Sequence, residues 1–141
     1  RKFILDGIKN LAENGSSILY TTHYLDEAEY LCNKISIMDN GKNILTGDMQ
    51  TLINGVSVKE KITVVGFIKP EIISILEKQD EVIDVEAKEN QVTFNYSSDT
   101  GNIKKLIYLL DENNVVYEEI FSKKPKLEDI FLEMTGKELR E

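Results

Sequence analysis

The chain lacks the sequence features that mark membrane-spanning, disulfide-stabilised and nucleic-acid-binding proteins. No apolar run approaches the ~20 residues that a transmembrane helix needs, and Cys32 is the single cysteine among 141 residues, which excludes an internal disulfide. The net charge of −8 argues against a nucleic-acid partner, because binding to a phosphate backbone depends on clustered Lys and Arg. We therefore expect a soluble cytoplasmic chain with no DNA or RNA partner.

The single histidine of the chain, His23, lies at a junction between an apolar run and an acidic segment. Residues 18–20 are apolar and follow a turn at Asn14-Gly15, which predicts a strand buried on both faces of a parallel sheet. Ligands collect at the carboxyl ends of such strands, where Thr21, Thr22 and His23 would stand. His23 is therefore the candidate functional residue, although its position alone leaves open that it merely caps the strand or the next helix.

The segment Thr21-Thr22-His23, followed by Asp26-Glu27-Ala28-Glu29, resembles the switch-histidine region of ABC transporter ATPases. Residues 31–48 are similar to the hairpin that closes the nucleotide-binding domain of that family, and residues 1–14 to the helix that leaves its Walker B and D-loop region. Residues 127–136 are similar to the ending that follows the accessory domain in drug-exporter and antibiotic-resistance subunits. Together these motifs favour the family strongly.

The sequence does not contain the complete catalytic centre of that family. Gly41-Lys42 and Gly136-Lys137 are its Gly-Lys pairs, and neither continues the G-x-x-x-x-G-K-[ST] phosphate loop. A Leu-Ser-Gly-Gly-Gln-like signature and an apolar strand ending in Asp-Glu are also missing. The resemblance thus implies the C-terminal part of a longer ATPase subunit, which would use ATP and Mg as cofactors, whereas no cofactor is expected for this chain alone.

In the complete subunit, the resemblance implies that His23 bonds the γ-phosphate of ATP and helps to position the attacking water. A neutral imidazole can donate to a phosphate oxygen while a neighbour holds its other nitrogen. Asp26, Glu27 and Glu29 are interpreted as structural, because acidic residues in the first turns of a helix complement its dipole. One histidine beside carboxylates is a weak metal signature, so no metal site is expected.

Small residues at 54–57 predict a boundary between two domains. Residues 1–55 would form the C-terminal part of the ABC nucleotide-binding domain, the end of a P-loop NTPase-type α/β sheet, with a hairpin of strands 34–39 and 42–46 around Asn40-Gly41. Residues 56–141 would form the accessory domain. A short helix after the hairpin would be capped by Asp48.

The second predicted domain alternates strands and helices in the order β-α-β-β-α-β. This order is typical of the ferredoxin-like α+β fold, in which two helices cover one face of a four-stranded antiparallel sheet. An amphipathic C-terminal helix follows, ending at Gly136. The predicted strands and helices occupy, in chain order, residues 60–67, 70–78, 82–87, 91–96, 101–113 and 115–121.

The resemblance implies a transmembrane permease subunit and a second copy of the ATPase subunit as partners, at the inner face of the cell membrane. Because the predicted strand before His23 has no parallel neighbours in this sequence, we also expect the chain to form a homo-oligomer. A docking and dimer-contact role is favoured for the accessory domain. The alternatives are a small-molecule-sensing regulatory domain or a stand-alone truncated relic; the transported substrate is not encoded in these residues.

Overall fold

The computed structural model describes residues 1–136, which divide into two compact units. The first unit combines Arg1–Val56 with the C-terminal segment that begins at Lys126, and the second is Ser57–Pro125. The C-terminal helix thus belongs to the first unit, although its position in the sequence predicted it in the second domain. The helix packs with the first unit because Leu127 and Ile130 are buried in that core. The boundary between a nucleotide-binding domain and an accessory domain, placed between residues 55 and 56, stays a prediction.

The described residues form six helices and six strands, and the neighbouring strands within each sheet are antiparallel. None of the helices in this part of the chain has the length and apolar character that a bilayer crossing requires. The elements are, in chain order, α1 (Lys2–Glu13), α2 (Leu25–Leu31), β1 (Ile35–Asp39), β2 (Lys42–Gly47), α3 (Met49–Asn54), β3 (Glu60–Val65), α4 (Pro70–Leu76), β4 (Val82–Lys88), β5 (Gln91–Tyr96), α5 (Asn102–Glu112), β6 (Glu119–Lys123) and α6 (Leu127–Thr135).

The hairpin of the first unit forms as its turn residues predict. Asn40 and Gly41 have φ of 52° and 75°, the left-handed conformation that a tight two-residue hairpin requires. The next helix, α3, is capped by Asp48, whose carboxylate accepts a hydrogen bond from the Thr51 backbone N–H at 2.8 Å. This bond also lowers the pKa of Asp48. The predictions of the hairpin and of the Asp48 cap are therefore confirmed.

The strand predicted at residues 18–20 is wrong. The structure gives these residues no regular secondary structure, and the side chain of Leu19 is 93% exposed. A buried strand needs neighbours on both sides to satisfy its backbone N–H and C=O groups. No strand among residues 1–136 pairs with this segment, so its apolar side chains are not enclosed.

The helix predicted over residues 1–14 is confirmed as α1, but most of its apolar side chains are not buried. Leu5 is buried, whereas Phe3, Ile4 and Leu11 are exposed. The apolar face of this amphipathic helix is therefore only partly covered by other described residues.

The core of the first unit lies between α2, the hairpin, α3 and α6. Its fully buried side chains include Leu52 of α3 and Ile130 of α6. The buried members of this core are Ala28, Ile35, Ile37, Leu52, Val56, Leu127 and Ile130. The first unit thus depends on residues from both ends of the chain.

The second unit is a four-stranded sheet with the strand order β4-β5-β3-β6. Its last strand begins at Glu119, later than the predicted start at residue 115. The segment before β6 packs closely on Gly66, where an added Cβ would lie 3.1 Å from the Cα of Tyr117. The backbone pairing between the two segments starts with Glu118, whose N–H donates to the Val65 carbonyl at 2.8 Å.

Both helices of the second unit pack on the same face of its sheet. Leu76 of α4 and Leu106 and Leu110 of α5 are fully buried against alternating residues of the strands. The buried members of this core are Ile62, Val64, Ile68, Leu76, Val92, Phe94, Tyr96, Leu106 and Leu110. The unit therefore has its own hydrophobic core, built from a contiguous stretch of sequence.

Replacing Phe94 by alanine should destabilise the protein by about 3–5 kcal/mol, because the ring is fully buried and its removal leaves a cavity. Phe67→Ala is the matched control, since that ring is 68% exposed, and it should change the free energy of unfolding by less than about 0.5 kcal/mol. Urea unfolding followed by circular dichroism measures both. Equal effects of the two substitutions would contradict the described core.

Alkaline pH should destabilise the protein partly through Tyr96. Burial raises the pKa of this phenol to about 12, and its hydroxyl donates to Gln79 Oε1 at 3.4 Å. A tyrosine in the unfolded chain ionises near pH 10, so the stability that the neutral phenol contributes is complete below pH 10 and is lost between pH 10 and about 12. Urea unfolding at about pH 8 and pH 11 should show a smaller loss for Tyr96→Phe than for the wild type; identical losses would refute this linkage.

Candidate functional site

His23 lies on an exposed bend immediately before α2. The Thr22 hydroxyl accepts a hydrogen bond from the Tyr24 backbone N–H at 2.9 Å, which tightens the chain around His23. The imidazole packs beside the Tyr24 ring, with 4.2 Å between ring centroids and 34° between ring planes. The bend therefore presents the imidazole at the surface while its backbone is held from both sides.

A buried carboxylate, Glu27, anchors the segment that carries His23. Its side chain lies in the first turn of α2 and the residue is 7% exposed. Its Oε1 accepts hydrogen bonds from the Tyr20 hydroxyl and from the Thr22 hydroxyl, both at 3.0 Å, and its Oε2 lies 2.8 Å from Arg1 Nε. Three separate groups thus converge on one carboxylate, which ties the chain before His23 to the helix after it.

Arg1 places a positive charge beside two carboxylates of this cluster. Its guanidinium contacts Asp26 at 3.0 Å as well as Glu27, and it lies 5.0 Å from the centre of the Tyr24 ring. The hydrogen bond to Glu27, followed by burial, raises the pKa of Tyr20 above that of a free phenol.

Glu29 holds the N-terminal end of α6. Its Oε1 accepts the backbone N–H of Leu127 at 2.5 Å, and Asp129 accepts the preceding N–H, that of Lys126, at 2.8 Å. These carboxylates accept hydrogen bonds from amides that have no partner within α6. Their negative charge also interacts favourably with the positive end of the α6 dipole. Sequence reasoning missed this role of Glu29 because 98 residues separate it from Leu127.

The remaining features near α2 do not involve His23. An open groove of about 450 Å³ lies between α1 and α2. Across residues 1–136, no three His, Cys, Asp or Glu side chains are grouped in a way that would hold a metal ion. The groove is lined by Arg1, Lys2, Leu5, Asp26, Glu27 and Tyr30.

The chain has relatives of known function that it matches throughout its length, although no protein-family model matches it. The linearmycin resistance ATP-binding protein LnrL of Bacillus subtilis (strain 168) is 31% identical over 147 residues, which cover 100% of this chain and 46% of that protein. The Nod factor export ATP-binding protein I of Sinorhizobium fredii is 27% identical over 141 residues, covering 100% and 39%. That of Ralstonia nicotianae is 28% identical over 142 residues, covering 100% and 43%.

These relatives are ATP-binding proteins of ABC transporters, the family that the Thr-Thr-His segment resembles. The chain is similar to such proteins over its whole length and corresponds to a C-terminal portion of one. It spans less than half the length of the curated relatives described above.

Glu27→Gln should destabilise the protein by about 1–3 kcal/mol, because it removes the charge that pairs with Arg1 in a buried cluster. Asp26→Asn is the matched control, since that carboxylate is 78% exposed and its ion pair should contribute no more than about 1 kcal/mol. Urea unfolding measures both effects. NMR titration should also show a lower Tyr20 pKa in the Glu27→Gln variant, and an unchanged pKa would contradict the described hydrogen bond.

Proposed function

We propose that this segment supplies the switch histidine of an ABC transporter ATPase, and that the longer protein binds and hydrolyses ATP to power export. The observation that carries the proposal is the exposed position of His23 on a bend anchored by Glu27, at the end of a Thr-Thr-His segment. The full-length similarity to ATP-binding proteins whose names include export and resistance supports it. Which compound is transported is not part of the proposal.

The residues around His23 suit contact with a terminal phosphate. An exposed imidazole can donate one N–H to a phosphate oxygen without first breaking a buried contact. Arg1 and two hydroxyl groups compensate the Glu27 charge beneath the bend, which reduces repulsion of an anionic ligand. When bound in the longer protein, ATP with Mg supplies the phosphoanhydride bond whose hydrolysis powers transport.

His23 would act by positioning and by donating a hydrogen bond as negative charge develops on the phosphate oxygens. Such a donor is most effective when it does not have to reorganise during the reaction. The bond between the Thr22 hydroxyl and the Tyr24 N–H, together with Glu27 below it, restricts the bend in this way. The phosphate loop and the catalytic carboxylate would come from parts of the protein outside this sequence.

We also propose roles for the two domains predicted from the sequence. Residues 1–55 would complete a P-loop NTPase-type domain, and residues 56–141 would form an accessory domain of ferredoxin-like fold that docks partners and contacts a second copy. The strand order β4-β5-β3-β6, with α4 and α5 on one face, supports this fold. The partners would be a transmembrane permease and a second ATPase subunit, at the cytoplasmic face of the cell membrane.

His23→Ala in the longer ATP-binding protein should lower kcat for ATP hydrolysis by about 10²-fold, because it removes one hydrogen-bond donor to the reacting phosphate. The KM for ATP should change much less, since most contacts to the nucleotide would come from the phosphate loop. Tyr24→Phe is the control: it keeps the ring that packs on His23 and should retain most of the activity. Phosphate release at varied ATP concentration gives both constants.

Two results would contradict the proposal. One is a His23→Ala protein that hydrolyses ATP at the wild-type rate. The other is equal inactivation by His23→Ala and Tyr24→Phe, which would indicate that the bend, rather than the imidazole, is required.

A further inference from the structure

The sheet of the second unit has an outer face that points away from α4 and α5. Because side chains alternate along a strand, the residues next to the buried core positions share this face. The hydrogen bond of 2.9 Å between the Thr63 and Thr93 hydroxyls lies on it. We define the outer face by three rows of residues that run across the sheet in the order β4, β5, β3, β6.

The first row carries opposite charges at its two ends. It consists of Asp84, Asn95, Lys61 and Lys123, which are paired across the strands. Asp84 on β4 is exposed, and so is Lys123 on β6. This row is therefore negative at the β4 edge and positive at the β6 edge.

The third row carries the reverse arrangement. It consists of Lys88, Gln91, Val65 and Glu119 in the same strand order. Lys88 and Glu119 are both exposed. This row is positive at the β4 edge and negative at the β6 edge, so the four corners of the outer face alternate in sign.

The middle row separates these charged corners and is less polar at one end. It consists of Glu86, Thr93, Thr63 and Phe121. Thr63 is 8% exposed, and Lys123 lies 5.4 Å from the centre of the Phe121 ring. The centre of the outer face is therefore largely buried, whereas its charged corners are exposed.

Asn95 has an acceptor that the described part of the chain does not satisfy. Its amide nitrogen donates to the Asp84 carboxylate, but its Oδ1 is buried and has no hydrogen-bond partner among residues 1–136. Turning the amide over would place its oxygen against the carboxylate, so the orientation is fixed. A buried acceptor of this kind costs free energy unless a donor reaches it.

We propose that the outer face binds the outer face of a second copy of this chain, related by a two-fold axis parallel to the strands. This operation places β4 of one copy over β6 of the other while it keeps each row over itself. Asp84 then faces Lys123 of the second copy, and Lys88 faces Glu119. Both pairs occur twice, because a two-fold interface is self-complementary. The inference deepens, and rests on, the dimer contact proposed for the second unit.

The same axis places β5 over β3, which brings Lys61 of one copy over Asn95 of the other. Packed sheets lie about 10 Å apart, a gap that Lys and Glu side chains can bridge together. The charged corners of the first and third rows thus favour this arrangement.

A two-fold axis perpendicular to the strands is less favourable. It would also pair opposite corners, because Asp84 would face Lys88 of the second copy. However, it places β4 over β4, so Glu86 would face its own counterpart. Like charges directly opposite each other are unfavourable, whereas the parallel axis sets Glu86 against Phe121.

The size of the outer face predicts a weak dimer. Four strands about 4.8 Å apart, with about five residues rising 3.4 Å each, form a patch of roughly 19 by 17 Å. Two such patches together cover roughly 650 Å², less than a standard specific interface buries, so we expect a weak contact with micromolar self-affinity. Two subunits held in one transporter would still form the contact, because their effective concentration reaches the millimolar range, roughly 10⁻³ M.

Charge reversal tests the proposal in the 141-residue chain without nucleotide. By sedimentation equilibrium, Lys88→Glu and Glu119→Lys should each raise the dimer Kd about tenfold, since each creates two like-charge contacts. The double variant should restore the wild-type Kd. Lys104→Glu and Glu112→Lys on α5 make the same charge changes on exposed positions of the opposite side and should have little effect.

A chain concentration of several hundred micromolar (about 10⁻⁴ M) is well above the expected Kd, so a wild-type chain that stays monomeric there would overturn the proposal. So would a double variant that dimerises no better than the single ones; the perpendicular axis predicts that it dimerises less well than either, because both substitutions then create like-charge contacts. Equal weakening by the α5 controls would also contradict it. Because no ATP is present, each of these failures leaves the proposed role of His23 untouched, and a failed His23 experiment leaves the dimer standing.

Discussion

The closure of the first core by α6 is the contact on which much of the first unit depends. Leu127 and Ile130 are buried among residues of α2, the hairpin and α3, while Glu29 accepts the first amide of the helix. Since Glu29 and Glu27 both belong to α2, the element that receives α6 also anchors the bend that bears His23. A substitution that loosens α6 would therefore reach the candidate site through α2, without any direct contact with the imidazole.

Register determines which side chains the second unit presents to solvent. A bulge in β4 between Val82 and Asp84 leaves Ile83 as the extra residue, so Val82 and Val85 both face the core. Without that bulge the later residues of the strand would change faces, and the charges would point at α4 and α5. One extra residue thus allows an apolar core and a charged outer face to coexist on the same strand.

Local signals predicted much of the fold. Asn40-Gly41 specifies its turn, and Asp48 caps α3 through an amide three residues away. The predictions that were wrong depend on contacts between residues distant in sequence. Residues 18–20 lack neighbouring strands, and the start of β6 depends on close packing against Gly66. At the candidate site, His23 was identified by its motif, whereas the convergence of Arg1, Tyr20 and Thr22 on Glu27 is a tertiary contact that no spacing rule reveals.

The origin of each core along the chain has a consequence for folding order. The buried residues of the second core lie within 62–110, and the side chains packed against them extend to Ile120, so this unit can pack from contacts between nearby segments before α6 is made. The first core cannot close until Leu127 and Ile130 have been synthesised. Contacts of large sequence separation form slowly, because a long loop must first be closed. During translation the later unit should therefore fold before the earlier one, and the N-terminal segment that carries His23 would be the last to acquire its native support.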